Sequence, residues 1–180
     1  LALYLFTFAR MSFRGLLLKF LIWRVKHVST TNFVIITSGV IGIIAGLAAV
    51  TLKESVHILQ NFLTRDFQQE FGNYLYLSYP LIGIVLTFLL SKYILKEKLG
   101  HGITDILYSI SKKSSIVKRT KTFSKMLTST LTVGFGGSVG LEAPIVVTGS
   151  AIGSNIGRLV HLNYKQRTLL IGCGSAGAIS

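Results

Sequence analysis

Glu142 is the one charged residue between Lys125 and Arg158, and everything around it is apolar, small or hydroxylated. A carboxylate in a long uncharged segment costs about 2.5–3.5 kcal/mol on membrane-insertion scales. It persists where it faces a polar cavity, pairs with a donor or takes up a proton. Pro144 lies two residues on and suits the first turn of a helix starting at residues 141–142. The free amides and positive dipole end of such a helix form an anion site. The stretch Gly140-Leu141-Glu142-Ala143-Pro144 thus puts a removable acid where an anion would bind. The plainer alternative is a structural carboxylate satisfied by its own helix cap.

A second stretch, Gly100-His101-Gly102-Ile103-Thr104-Asp105, places two glycines around one side chain. It reads as a tight turn before a short helix over residues 103–111, with Thr104 and Asp105 in the first turn. Other chemistry is sparse. Cys173 is the single cysteine, so neither a disulfide framework nor a cysteine metal site is expected. His27, His57, His101 and His161 show no metal-ligand spacing. Gly172-Cys173-Gly174-Ser175-Ala176-Gly177 fits the Gly-x-Gly-x-x-Gly fingerprint of dinucleotide-binding redox enzymes, and it follows an apolar run. In a Gly/Ala-rich stretch that match arises easily by chance, and we expect no enzyme.

The elements that must position these residues are membrane helices. Half of the 180 residues are hydrophobic and only 14% are charged, against about 25% in a soluble domain. Two uncharged segments, 29–52 and 71–91, reach the ~20 residues a span requires. A third, 126–157, is longer than one span and holds Glu142. The net charge of +13 is informative through its placement. Arg10, Arg14, Lys19, Arg24 and Lys26 precede the first span. Lys53 and Arg65 lie between the two, offset by Glu54, Asp66 and Glu70. Nine lysines and arginines, from Lys92 to Lys125, follow the second. The positive-inside rule then puts the N-terminus and the 112–121 loop in the cytoplasm, in a multi-pass protein. A nucleic-acid partner is not expected.

In order, residues 1–28 are expected to include an interfacial amphipathic helix, with Phe13, Leu16, Leu17, Phe20, Leu21 and Trp23 among basic residues. Residues 29–180 form the membrane part. The first span carries Gly42 and Gly46, a spacing that admits close helix approach, and runs on to about Leu63. Tyr74, Tyr76 and Tyr79 form an interfacial belt before Pro80 opens the second span. A helix over 122–137 is broken by Gly134, Gly136, Gly137 and Gly140. Gly149, Gly153 and Gly157 predict tight packing of the helix after Glu142, and a further helix begins around Arg167. The apolar run at 177–180 meets no helix stop, so the protein is expected to continue beyond Ser180. The chain opens on Leu1 rather than Met, so either Met11 is expected to be the start or the chain is a fragment.

These residues resemble the CLC family of chloride channels and proton-coupled chloride transporters. The family pattern Gly-Lys/Arg-Glu-Gly-Pro is similar to residues 140–144, and its Gly-x-x-Ile-Gly to Gly149, Ile152 and Gly153. Its Gly-Ser-Gly-Ile-Pro turn is similar to residues 100–104. The likeness covers residues 32–180. It implies an all-α membrane protein of tilted and broken helices, built from inverted repeats, of which this chain holds the N-terminal part. It implies a homodimer with one pore per subunit. It implies chloride as the transported ion, with protons as a second substrate in the exchanger case, and no cofactor or metal. Glu142 would be the gating glutamate of a voltage- or pH-gated channel or a chloride/proton exchanger. Gly140, Leu141, Ala143 and Pro144 would frame the external anion site. Gly100, His101, Gly102 and Ile103 would contribute to the central one.

Three departures stand out. His101 replaces the serine whose hydroxyl contacts the central anion, bringing in a titratable ring. Leu141 replaces a basic residue, and Ala143 replaces glycine. The alternative from another class is a membrane protein that does not conduct. Broken helices around one intramembrane acid favour transport.

Overall fold

The computed structural model describes residues 29–65, 78–95 and 102–180. Every regular element among them is helical, as expected. The amphipathic helix of residues 1–28, Tyr74 and Tyr76 of the aromatic belt, and Gly100 and His101 lie outside the described residues. The chain divides into two compact units, Leu1–Thr37 and Ser38–Ser180. In the first, the described residues are the opening turns of a helix, where the Thr37 hydroxyl donates to the Phe33 carbonyl at 2.7 Å.

That helix, α1 (Thr30–Arg65), continues through the second unit. Ile41, Ala45, Ala49, Leu52 and Val56 recur every third or fourth residue and are buried, a single helical stripe. The opposite face carries Val40, Ile43, Ile44, Leu47 and Val50, all exposed. A helix equally apolar on its covered and uncovered sides is suited to lipid rather than water. Its apolar part covers Thr30–Leu63, 34 residues, or about 50 Å of helix against a hydrocarbon core of ~30 Å. It is therefore tilted or projects beyond the bilayer. Among the described residues it is the one helix long and apolar enough to cross a membrane by length and composition.

The second expected span appears as α2 (Tyr79–Leu89), with Pro80 in its first turn and a π-helical continuation over Leu90–Leu95. Together they form a shorter apolar helix, Tyr79–Leu95. Then follow α3 (Gly102–Lys112), α4 (Lys121–Gly134), α5 (Glu142–Leu159) and α6 (Tyr164–Ile179).

The core rests on backbone contact between α5 and α6. A β-carbon at Gly149 would collide with the Gly174 carbonyl, and one at Gly153 with the Leu170 carbonyl. At Gly157 it would lie 3.1 Å from Cγ of Arg167. The every-fourth-residue glycines thus do what their spacing predicts. α1 joins on the other side, where a β-carbon on Gly177 of α6 would sit 2.6 Å from the Gly42 Cα.

Two expectations change. The last helix begins at Tyr164 rather than near Arg167, because Asn163 and Gln166 form a reciprocal capping box ahead of it. The dinucleotide reading fails: residues 172–177 lie inside α6, and no strand precedes them among the described residues. The fingerprint needs a strand, a turn and a helix start, so that its amides are free to meet phosphate. Here those amides are used within a helix.

Candidate functional site

The break before Glu142 follows from Gly134-Phe135-Gly136-Gly137. Gly136 sits at φ +84°, in the left-handed region. Its N–H donates to the Val133 carbonyl at 2.9 Å, and the Gly137 N–H to the Thr132 carbonyl at 2.9 Å. This pair of bonds is the Schellman ending of a helix, which favours glycine at the left-handed position. The α4 end is held from both sides: the Thr87 and Thr132 hydroxyls lie 3.1 Å apart, and Gln60 Nε2 donates to the Val133 carbonyl at 3.3 Å. Backbone then runs irregularly through residues 135–141 until α5 begins.

At that start, Leu141 turns inward. It packs on the cluster of Ala45, Ala49, Leu52, Val56, Ile145 and Ala178. Its carbonyl accepts from the Ile145 N–H at 3.1 Å, which anchors the first helical turn. Glu142 and Ala143 are exposed, while Pro144 is half-buried. Glu142 has no hydrogen bond or ion pair among the described residues. Nor do the amides of Leu141, Glu142 and Ala143 have a partner there. The carboxylate is therefore not consumed in capping its own helix. The start of α5 presents open N–H groups, the positive end of an 18-residue helix and an uncommitted acid together.

The second candidate stretch comes close to the first. Gly102 opens α3 and is packed on α5: a β-carbon there would lie 2.9 Å from Cγ2 of Val147. Val147 is five residues beyond Glu142, about 7.5 Å along the helix. Ile103 is exposed at the same helix start. Lys125 of α4, half-buried, brings its Cε within 3.5 Å of that same β-carbon position. In the sequence Lys125 stands only as the last of a basic run. Its place as the final cation before the uncharged segment was the available signal. The α3 start also holds Asp105, whose carboxylate accepts from Lys121 Nζ at 2.6 Å. That bond, with the charges of Lys121, Lys125 and Lys113, holds the Asp105 carboxyl below its ordinary range. Among the described residues no group of side chains could hold a metal.

Comparison with known proteins gives this arrangement its context. The family model for voltage gated chloride channels matches residues 82–180, from α2 to the end of the chain. Chloride channel protein CLC-e of Arabidopsis thaliana is 24% identical over 151 residues, which is 78% of this chain and 21% of that protein. A ClcB-like chloride channel protein of Ralstonia nicotianae is 26% identical over 153 residues, 79% of this chain and 36% of that protein. The chain thus spans about a fifth of one relative and about a third of the other. With the family model covering more than half its length, the chain belongs to the voltage gated chloride channel family.

Proposed function

We propose that this chain supplies part of a transmembrane chloride path, with Glu142 as its gating carboxylate. The observation that carries the proposal is the open α5 start: an exposed acid beside amides with no partner among the described residues. Deprotonated, Glu142 competes with an external anion for the N–H groups of Leu141, Glu142 and Ala143. Protonation removes its charge and yields those groups to chloride. The approach at Gly140 is open space, with nothing within 4 Å of where a β-carbon would stand. Pro144 fixes the first turn without adding an N–H of its own. Leu141, half-buried against the core cluster, leaves the outer mouth without an attracting side-chain charge.

The α3 start at Gly102 and Ile103, with Gly100 and His101 before it, provides the central anion position. Lys125 adds positive potential there. The whole protein works in the bilayer as a multi-pass homodimer with its N-terminus in the cytoplasm. It acts as a channel or as a chloride/proton exchanger.

Chloride efflux from liposomes holding the full-length protein tests this reading. Efflux with a membrane potential that follows the chloride gradient supports it. Absence of chloride efflux from folded, correctly inserted protein leaves the non-conducting alternative in its place. A proton flux coupled to chloride separates exchanger from channel.

A further inference from the structure

The last residue of α3, Lys112, and the loop between α3 and α4, with Lys113, Lys118 and Arg119, carry four cations, all exposed. The one ion pair among the described residues, Lys121–Asp105, uses none of them. A basic run that only sets membrane orientation needs no defined shape. This one has a defined shape. Ser115 and Val117 are fully buried between the cations. The Ser115 hydroxyl lies 2.6 Å from the Thr168 hydroxyl, and Ser154 Oγ donates to the Ser115 carbonyl at 2.6 Å. The Val117 N–H donates to Ser154 Oγ at 3.0 Å, and Arg167 Nη1 to the Ser114 carbonyl at 3.0 Å. Ser114 and Ser115 both adopt left-handed backbone, with φ of 50° and 60°, a conformation that bonds of this kind must hold in place.

Apolar side chains lie among the cations. Ile116 is 41% exposed and Phe123 68% exposed, and Lys113 Nζ stands 5.4 Å from the Tyr108 ring. Cations alternating with exposed apolar groups match the boundary between lipid headgroups and acyl chains. Fixing the backbone beforehand lowers the entropy lost when a ligand binds.

We propose that this loop is a binding surface for anionic phospholipid headgroups. Lys112, Lys113, Lys118 and Arg119 engage the phosphates, while Ile116 and Phe123 enter the acyl boundary. The inference rests on the membrane setting of the chain and is independent of chloride transport. Its readout below is lipid retention, so it can fail while the transport reading stands, and the reverse.

The test is native mass spectrometry of the full-length protein in detergent, loaded with equimolar phosphatidylglycerol and phosphatidylcholine. Each cation near an anionic surface adds roughly fivefold. Wild type should therefore retain phosphatidylglycerol over phosphatidylcholine by about tenfold or more. The variant with Lys112→Gln, Lys113→Gln, Lys118→Gln and Arg119→Gln should lose most of that preference. Millimolar inorganic phosphate should not displace the lipid. Equal retention of the two lipids, an unchanged preference in the variant, or full displacement by phosphate would each overturn the proposal. A photoactivatable phosphatidylglycerol on wild type needs no variant. Crosslinks within 112–123 support the surface, and crosslinks only elsewhere refute it.

Discussion

Gly102 and Val147 hold the two candidate anion-binding stretches together, because a β-carbon on Gly102 would come within 2.9 Å of the valine Cγ2. The β-branched valine has little rotamer freedom in a helix with which to yield. Gly102→Ala should therefore destabilise the folded protein by roughly 1–3 kcal/mol. Val147→Ala in the same molecule should recover part of that loss. Thermal unfolding of the four members of this double-mutant cycle checks it. Additive effects would mean the two residues do not meet.

The glycines of the last two helices should divide sharply. Gly153→Ala drives a β-carbon into the Leu170 carbonyl, whereas Gly172 has nothing within 4 Å of the equivalent position. Gly153→Ala should fall at the upper end of the ~1–3 kcal/mol overpacking range. Gly172→Ala should be neutral or stabilising by up to about 1 kcal/mol. Unfolding temperatures in detergent distinguish them. A damaging Gly172→Ala would mean that this face of α6 is covered in the folded protein.

Those glycines also show what was legible in the sequence. Gly149, Gly153 and Gly157 announced a close helix contact through their period alone, and Gly42 and Gly46 did the same for α1. Pro144 and the glycines from 134 to 140 marked a break and a new helix at Glu142, which is where α5 starts. Local signals of this kind are read from neighbouring residues. The partner in each contact was not legible. Nothing in the sequence pairs Gly102 with Val147, Lys125 with the α3 start, or Ser154 with the 113–119 loop. These depend on how helices cross, and they join residues 23 to 45 positions apart. The capping box at Asn163 and Gln166 was visible in principle and was obscured by the apolar run that follows it.

Two left-handed residues end helices and should respond in opposite directions. Gly136 closes α4 at φ +84°, and His161 closes α5 at φ 53°, where the Leu162 N–H bonds the Gly157 carbonyl at 3.0 Å. Glycine adopts this backbone without strain, and histidine does so less readily. Gly136→Ala should cost about 1 kcal/mol, and His161→Gly should stabilise by up to a similar amount. Chemical denaturation of the reconstituted protein measures both. Two changes of the same sign would argue against the assigned turns.

Asp105 and Lys121 should give a weak acid-side dependence of stability. α3 lies outside the candidate membrane spans. The hydrogen bond from Lys121 holds the aspartate's folded pKa below its unfolded value. Its contribution is thus fully present above about pH 4 and is lost as pH falls through the lower, folded value. Asp105 is 46% exposed, so the pair is worth no more than about 1 kcal/mol. Asp105→Asn should lower the unfolding temperature slightly at pH 7 and make progressively less difference as pH falls below about 4. A loss that does not shrink as pH falls would point to packing rather than charge.

The direct test of the central claim is chloride flux through the full-length protein in liposomes, measured across external pH for wild type, Glu142→Gln and Glu142→Ala. Glu142 is uncommitted at the α5 start, so its charge should decide whether an external anion reaches the open amides. Wild-type flux should rise as external pH falls and the carboxylate is neutralised. Both variants should carry flux that varies little with pH, at or above the wild-type acid level. Variants that keep the wild-type pH dependence would contradict Glu142 as the gate.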